Sequence, residues 1–271
     1  MAPTPAKPAS ALTQVVGVKL QSLTAVPATP ASLHSALRHL AKWRAELLAN
    51  TVLKRSGTKV VAGPFQGMDY ALRASEGSRV ARLLGVYEAA LHPVIEAIIA
   101  RAPDLVIDIG SAEGYYAVGF ARRMPGARVM ARDASPRAQD LCRAQALANS
   151  VAARVEVGGL FSHADFDICA VTRSVVICDI EGAEDALLDP VVAPGLLHAD
   201  ILVECHPAAA KGVTERISAR FAATHRIIRI DRKLDDSALP EWMAEMSDLD
   251  RLLALWEWRT GPTPWLWMEK L

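Results

Sequence analysis

The chain has 271 residues, with 30 Lys and Arg against 30 Asp and Glu, so its formal net charge is zero. A protein that tracks nucleic-acid phosphates needs a clear basic excess, so a dedicated nucleic-acid binder is not expected. With 51% hydrophobic residues the length suits one large α/β domain, and no stretch of about 18 residues is continuously apolar as a membrane span requires.

Residues 1–30 hold five of the sixteen prolines among Ala, Thr and Ser. That composition reads as a disordered, mobile tail that cannot bury enough surface to order itself. The apolar run ALTQVVGVKL within it is short and interrupted by polar residues, so a signal peptide is not expected. From Ala31 the pattern changes. Leu33, Leu37, Leu40 and Leu47 recur at helical spacing and predict an amphipathic helix over 31–53. Its stripe is expected to pack on the main domain or, alternatively, on a second copy of the chain as a dimer contact. Residues 56–70, SGTKVVAGPFQGMDY, read as a strand, a turn and a second short strand. The segment 78–101 is helical by pattern, with Pro93 opening a second helix. Together these pieces make an N-terminal layer over 31–103.

After residue 103 the chain acquires a rhythm. Apolar strands are predicted at 104–109, 127–132, 153–157, 174–179, 199–205 and 224–230, starting 23, 26, 21, 25 and 25 residues apart. Helical segments fill the gaps, notably 114–123, 136–149 and 208–222. A βα repeat of that length gives parallel strands with right-handed crossovers. The expected fold is therefore α/β, a doubly wound, mostly parallel, seven-stranded Rossmann-like sheet over 104–271. Its last strand, 264–269, is expected to run antiparallel to 224–230. The segment 232–263 between those two leaves from the carboxyl rim and is a candidate lid; Trp256 and Trp258, with Glu257 and Arg259, either bind the acceptor's rings there or close the edge of the core, whereas Trp265 and Trp267 read as core. Cys142, Cys169, Cys178 and Cys205 are spaced 27, 9 and 27 apart, with no CxxC pair. They read as reduced thiols in the core of a cytoplasmic protein.

In an open parallel sheet ligands bind beyond the carboxyl ends of the strands. The first strand ends in Asp108-Ile109-Gly110-Ser111-Ala112-Glu113-Gly114-Tyr115-Tyr116, a glycine turn leading into a helix. The second ends in Asp133, 25 residues after Asp108, where a carboxylate can accept both hydroxyls of a ribose. A dinucleotide GxGxxG motif would need glycine at 110, 112 and 115, and only Gly110 matches. A Gly-Lys-Ser/Thr phosphate loop is absent. A nicotinamide-dependent dehydrogenase is thus disfavoured, and Asp108 before the turn suits a ligand carrying an amino group and a sulfonium better than a pyrophosphate.

The pattern DxGxxxG followed by an acidic second strand end resembles the class I S-adenosylmethionine-dependent methyltransferases. The block Asp179-Ile180-Glu181-Gly182-Ala183-Glu184 after the fourth strand, and Val203-Glu204-Cys205-His206-Pro207 after the fifth, narrow the resemblance to the FkbM-type family. Gly63-Pro64-Phe65-Gln66-Gly67-Met68 and Leu84-Gly85-Val86-Tyr87-Glu88 are similar to segments in relatives of that family. The likeness covers roughly residues 60–230 and departs at Asp133-Ala134, where the family more often has Glu-Pro. It implies an enzyme that binds S-adenosylmethionine through Asp108, Gly110, Ser111, Ala112, Gly114, Tyr115 and Asp133. It also implies that Asp179 faces the methyl group and the acceptor. Methyl transfer to an oxygen of a small molecule or saccharide is the activity that follows; a non-catalytic methyltransferase-like binding domain is the alternative.

An alcohol acceptor needs a base, and His206, two residues beyond Glu204 at the same rim as Asp179, is suited to it. A loop histidine held by Pro207 is the plain alternative; His163 is the weaker base candidate. The other histidines, His34, His39, His92, His198 and His225, read as surface or packing residues. Glu184 reads as a carboxylate at a helix N-terminus. Asp179, Glu181 and Glu204 are hard oxygen donors able to hold Mg²⁺, a reading that stands second to a site without metal.

Overall fold

Each of the seven apolar runs becomes a strand: β1 (Leu105–Ile109), β2 (Arg128–Arg132), β3 (Val155–Gly158), β4 (Ser174–Cys178), β5 (Asp200–Glu204), β6 (His225–Ile230) and β7 (Trp265–Lys270). The computed structural model describes residues 10–24, 27–71, 77–259 and 261–271. The strands form one sheet in the order β3-β2-β1-β4-β5-β7-β6. β1 to β5 pair in parallel, and β7 is antiparallel to both β5 and β6. The chain order reverses between β1 and β4, which makes their carboxyl ends the switch point of a doubly wound sheet. Both of these strands are buried along their whole length. That is why they read as unbroken apolar runs rather than alternating ones.

Two apolar clusters cover the faces of the sheet. One lies under α5 (Tyr115–Arg123), α6 (Pro136–Ala148) and the N-terminal layer, and the other under α8 (Val213–Phe221). Trp265 and Trp267 are core residues on β7, 4% and 2% exposed. All four cysteines are buried and unpaired. The most apolar 18-residue window of the run Arg79–Arg101 has a mean hydropathy of 1.5. It folds as α3 (Arg79–Leu84), a 3-10 turn over Ala89–Leu91 and α4 (His92–Arg101), with Pro93 in the first turn of α4 as expected.

Several expectations, most of them for the first hundred residues, need correction. The expected tail holds a helix, α1 (Ala11–Thr24), started by Ser10, whose hydroxyl accepts the Thr13 amide at 3.2 Å. All five prolines of residues 1–30 lie outside 11–24, so a composition averaged over thirty residues hides a stretch free to coil. Residues 1–9 and 25–26 of that tail lie outside the described residues, and its last two, Thr29 and Pro30, cap and open the next helix. α1 packs on α2 (Pro30–Ser56), where Trp43 Nε1 donates to Thr13 Oγ1 at 3.2 Å. α2 itself buries Ala36, Ala45, Leu48, Ala49 and Val52, whereas Leu33, Leu37 and Leu40 are exposed. Small residues let the helix approach α3 and α9 (Asp248–Leu255) closely, and this sets its rotation more than the bulkier stripe does. The expected hairpin at 56–70 is reduced to a single antiparallel bridge between Lys59 and Asp69. The helix expected at 208–222 begins only at Val213, after Gly212.

Candidate active site

A cleft of about 1350 Å³ runs along the carboxyl rim of the sheet. Gly110, Ala112, Asp133, Ser135 and Phe161 line one end. Asp179, Glu181, Glu204, His206, Trp258 and Arg259 line the other.

The first end is backbone geometry. Gly110 has φ +86°, and a Cβ there would lie 1.7 Å from the Asp179 carbonyl oxygen. Only glycine lets the β1 turn pass the end of β4 so closely. Gly114 has φ +88° and packs on Cys142, whose Sγ a Cβ would meet at 2.7 Å. Asp133 ties the two loops together: its Oδ2 accepts the Ala112 amide at 2.9 Å and its Oδ1 the Ser135 amide at 2.8 Å. Each oxygen keeps a lone pair for a hydroxyl ligand. The remaining expected residues of this end sit behind the wall. Asp108 is 3% exposed, and burial pushes its carboxyl up to about 7, opposed by a backbone hydrogen bond from Ala117. Among the described residues, its Oδ2 and the buried Ser111 hydroxyl have no hydrogen-bond partner. Tyr115 was expected on the ligand but is packed edge-to-face with Phe65, Tyr70, Tyr87 and Tyr116. A large ring in the first helical turn points down onto the core rather than out over the rim.

The other end is charge. His206 is 7% exposed and has its Nδ1 2.7 Å from Glu184 Oε1. A carboxylate only accepts, so Nδ1 carries the proton and Nε2 faces the cleft. Nε2 lies 3.4 Å from Glu181 Oε2 and 3.7 Å from both Asp179 Oδ1 and Glu204 Oε2. Burial pulls the His206 imidazole down, but the Glu184 hydrogen bond and the Glu204 charge outweigh it, leaving its pKa raised. Burial pushes Glu184 up, but His206 and the Gly182 amide outweigh that and leave it lowered. Burial first, then the Glu204 and Glu88 charges, holds Asp179 well above the usual carboxylate range.

Glu184 therefore does more than its position at the start of α7 (Glu184–Leu187) suggested. It accepts the Ile180 and Gly182 amides at 3.3 and 3.0 Å and also orients His206. The expected metal set changes too. Glu204 Oε1 is engaged by Arg259 and by the Thr263 hydroxyl, and the three donors that converge are Asp179, Glu181 and His206. His163 lies on the cleft wall with Nε2 2.9 Å from the Ala186 carbonyl oxygen, while His225 is buried against the Ala199 carbonyl.

Sequence reasoning placed Arg259 and Glu257 beside Trp256 and Trp258 in a candidate acceptor-binding lid, and gave Arg259 no part in a charge network. Its guanidinium contacts Glu88, Glu204 and Glu257, and Arg232 also bonds Glu257, at 2.8 Å. Tyr116 donates to Glu88, and the Glu88 amide donates to Glu257 at 2.9 Å. Burial, then the Glu204 charge, lifts Glu88 to about 8 despite Arg259. This network joins the 232–263 segment to β5 and the N-terminal layer. Trp258, at φ +69°, reaches the cleft wall with Lys42 stacked over its ring at 4.4 Å. The signals were present but scattered: Glu88 in the Leu-Gly-Val-Tyr-Glu run and Arg259 beside Trp258 are 171 residues apart.

No family model and no curated protein matches the chain. Solved structures do align with it. The O-methyltransferase from Bacillus cereus in complex with SAH is 11% identical, covers 96% of this chain and 99% of its own, and has a TM-score of 0.46. The O-methyltransferase TomG from Streptomyces achromogenes, involved in tomaymycin synthesis and solved with SAM, is 15% identical over 94% of this chain and 96% of its own, at 0.45. Human methyltransferase 10 domain containing protein is 10% identical over 83% and 96%, at 0.46. Likeness at this level carries no inference about activity, and the sheet order above is what defines the architecture.

Proposed function

We propose that this chain is an S-adenosylmethionine-dependent methyltransferase of FkbM type that methylates an oxygen of a small molecule or saccharide. The observation that carries this reading is the division of one cleft at the switch point. A backbone cradle with a diol-accepting carboxylate lies on one side, and a cluster of acids around a buried imidazole lies on the other. The cradle suits the cofactor on grounds of its own atoms. Gly110 leaves the space that a side chain would fill, Asp133 presents two oxygens, and Phe161 and Leu160 offer an apolar wall for a base. Bound there, S-adenosylmethionine supplies an electrophilic methyl group on a positively charged sulfur.

The protein's own work is alignment and proton handling. Holding acceptor oxygen, methyl carbon and sulfur in line contributes most of the rate. As the oxygen–carbon bond forms and the carbon–sulfur bond breaks, the hydroxyl proton passes to the Asp179, Glu204 and His206 cluster. Glu184 keeps His206 in the tautomer that faces the cleft, and Trp258 and Tyr87 frame the acceptor. Calorimetry with S-adenosylmethionine and with its demethylated product tests the reading. Binding is expected, with Asp133→Ala weakening it by about ten- to a hundredfold, the value of hydrogen bonds to a charged group. No binding of either compound by the wild-type chain would refute the proposal.

A further inference from the structure

We propose that the methyl acceptor carries an anionic group, a carboxylate or a phosphate, held by Lys42 and the Trp258 indole on the cleft wall where α2 meets the 232–263 segment. The inference rests on the methyltransferase reading above and names the substrate class of that site. The described residues that the N-terminal layer gives to the cleft wall are Lys42, Gly77, Arg82 and Tyr87, two cations and no acid. Arg82 is already engaged: its guanidinium lies 3.4 Å from Glu113 and stacks over the Tyr87 ring at 4.1 Å. Among the described residues the Lys42 ammonium has no carboxylate in ion-pair contact, and the charge that acts on it, from Arg38, has the same sign.

That arrangement is costly while nothing is bound. Arg38 and Lys42 stand one turn apart on α2, and like charges at this spacing destabilise a helix. Arg38 is settled: its Nη2 donates to the Trp258 carbonyl at 2.9 Å, and its guanidinium lies over Trp256 at 5.3 Å. Lys42 rests on the face of Trp258 at 4.4 Å, and burial, then the Arg38 charge, lowers its pKa. A cation–π contact occupies one side of an ammonium and leaves N–H donors for an oxygen ligand. Trp258 supplies a second donor, because its Nε1 is buried with no hydrogen-bond partner among the described residues. Its backbone is held at φ +69°, a conformation that a non-glycine residue keeps only when its surroundings impose it. Two donors on touching side chains, one of them charged, match the oxygens of an anionic group.

Charge also fixes how such an acceptor lies. Asp179, Glu181 and Glu204 gather around His206 at the ends of β4 and β5, where an anion is repelled. A hydroxyl is suited to that side, since it can give its proton to the cluster. The cleft therefore selects an acceptor with a hydroxyl at one end and an anion at the other, in one orientation. An uncharged acceptor leaves Lys42 desolvated and unpaired, which discriminates against it.

Saturation-transfer NMR on the full chain, with and without the demethylated cofactor product, tests this with matched probes. They are 4-hydroxybenzoate against 4-hydroxybenzamide, and D-glucuronate and D-glucose 6-phosphate against D-glucose. The anionic member is expected to bind about tenfold more tightly, the worth of one charge-assisted hydrogen bond at a half-buried site. Preference for the acids assigns a carboxylate, and preference for the sugar phosphate assigns a phosphate. Lys42→Met, which keeps an apolar stem on Trp258, should erase the preference, and Lys42→Arg should retain it. Lys54→Met, exposed on the same helix and away from the cleft, should behave as wild type. The wild-type comparison needs no variant, so it decides the matter if Lys42→Met fails to fold. Anionic probes that bind no better than their neutral partners, or not at all, overturn the proposal, as does an undiminished preference in Lys42→Met. Cofactor binding without an anion preference removes this inference alone; a Lys42-dependent preference without cofactor binding removes the methyltransferase reading and keeps the anion site.

Discussion

The two ends of the cleft are built by different means. The Gly110–Asp133 end is made almost wholly of main chain, turned by one glycine and fastened by one carboxylate drawn from neighbouring strands. The Asp179–His206 end is made of side chains from β5, the loops that follow β4 and β5, α7 and the 232–263 segment, with Glu88 from the N-terminal layer completing the charge network. A backbone cradle is tolerant of its surroundings but intolerant of a Cβ. A charge cluster is tolerant in shape but intolerant of losing a counter-ion, since the desolvated partners are left uncompensated.

The sharpest way to break this contrast is Arg259→Ala. Glu88, Glu204 and Glu257 would remain buried without their shared guanidinium, at an expected loss of about 3–5 kcal/mol of stability, the typical result of removing one partner of a buried pair. Urea unfolding measures it, and a loss under 1 kcal/mol would mean that water or protonation already balances the acids. Gly110→Ala comes next. Its φ and the approach to the Asp179 carbonyl should cost about 2–4 kcal/mol and abolish cofactor binding measured by calorimetry. A stable variant that binds normally would show that the cradle has slack.

Asp108 allows a pH experiment. Its pKa is raised in the folded state, to about 7, so the folded chain keeps a proton that the unfolded chain has released. Its stabilising contribution is complete below the unfolded pKa near 4 and is lost as pH rises toward 7, at up to about 1.4 kcal/mol per pH unit. Above pH 7 that contribution stays flat. Asp108→Asn lacks this slope, so the stability difference between variant and wild type should change between pH 5 and 7 and then hold constant. A constant difference across the whole range would place the proton elsewhere. The smallest effect is expected for Glu181→Gln. An exposed carboxylate at the rim should leave the melting midpoint almost unchanged, within about 0.5 kcal/mol.

Legibility in the sequence follows the same division. The seven strands, the helix opened by Pro93 and the antiparallel final strand could be read because burial on two faces writes a continuous apolar run, and a βα period writes direction. The Gly110 turn and Asp133 lie within 25 residues of Asp108 and could be read together. Tyr115 was misplaced because a motif shows adjacency, not the direction of a ring. The leucine stripe of α2 misled because helix rotation answers to the neighbour, and there small residues made the closer contact. The coil-like composition of residues 1–30 concealed α1, since proline counts matter by position.

What the sequence determines by itself is the number, position and direction of the strands, the glycine turn after the first of them and the acids at their ends. These depend on local periodicity and on residues close in the chain. Only the tertiary structure decides that Glu184 orients His206, that Arg259 gathers three distant carboxylates, and that Glu204 is drawn out of the group formed by Asp179, Glu181 and His206. Electrostatic partners are chosen by distance and desolvation in three dimensions, and neither leaves a period in the chain.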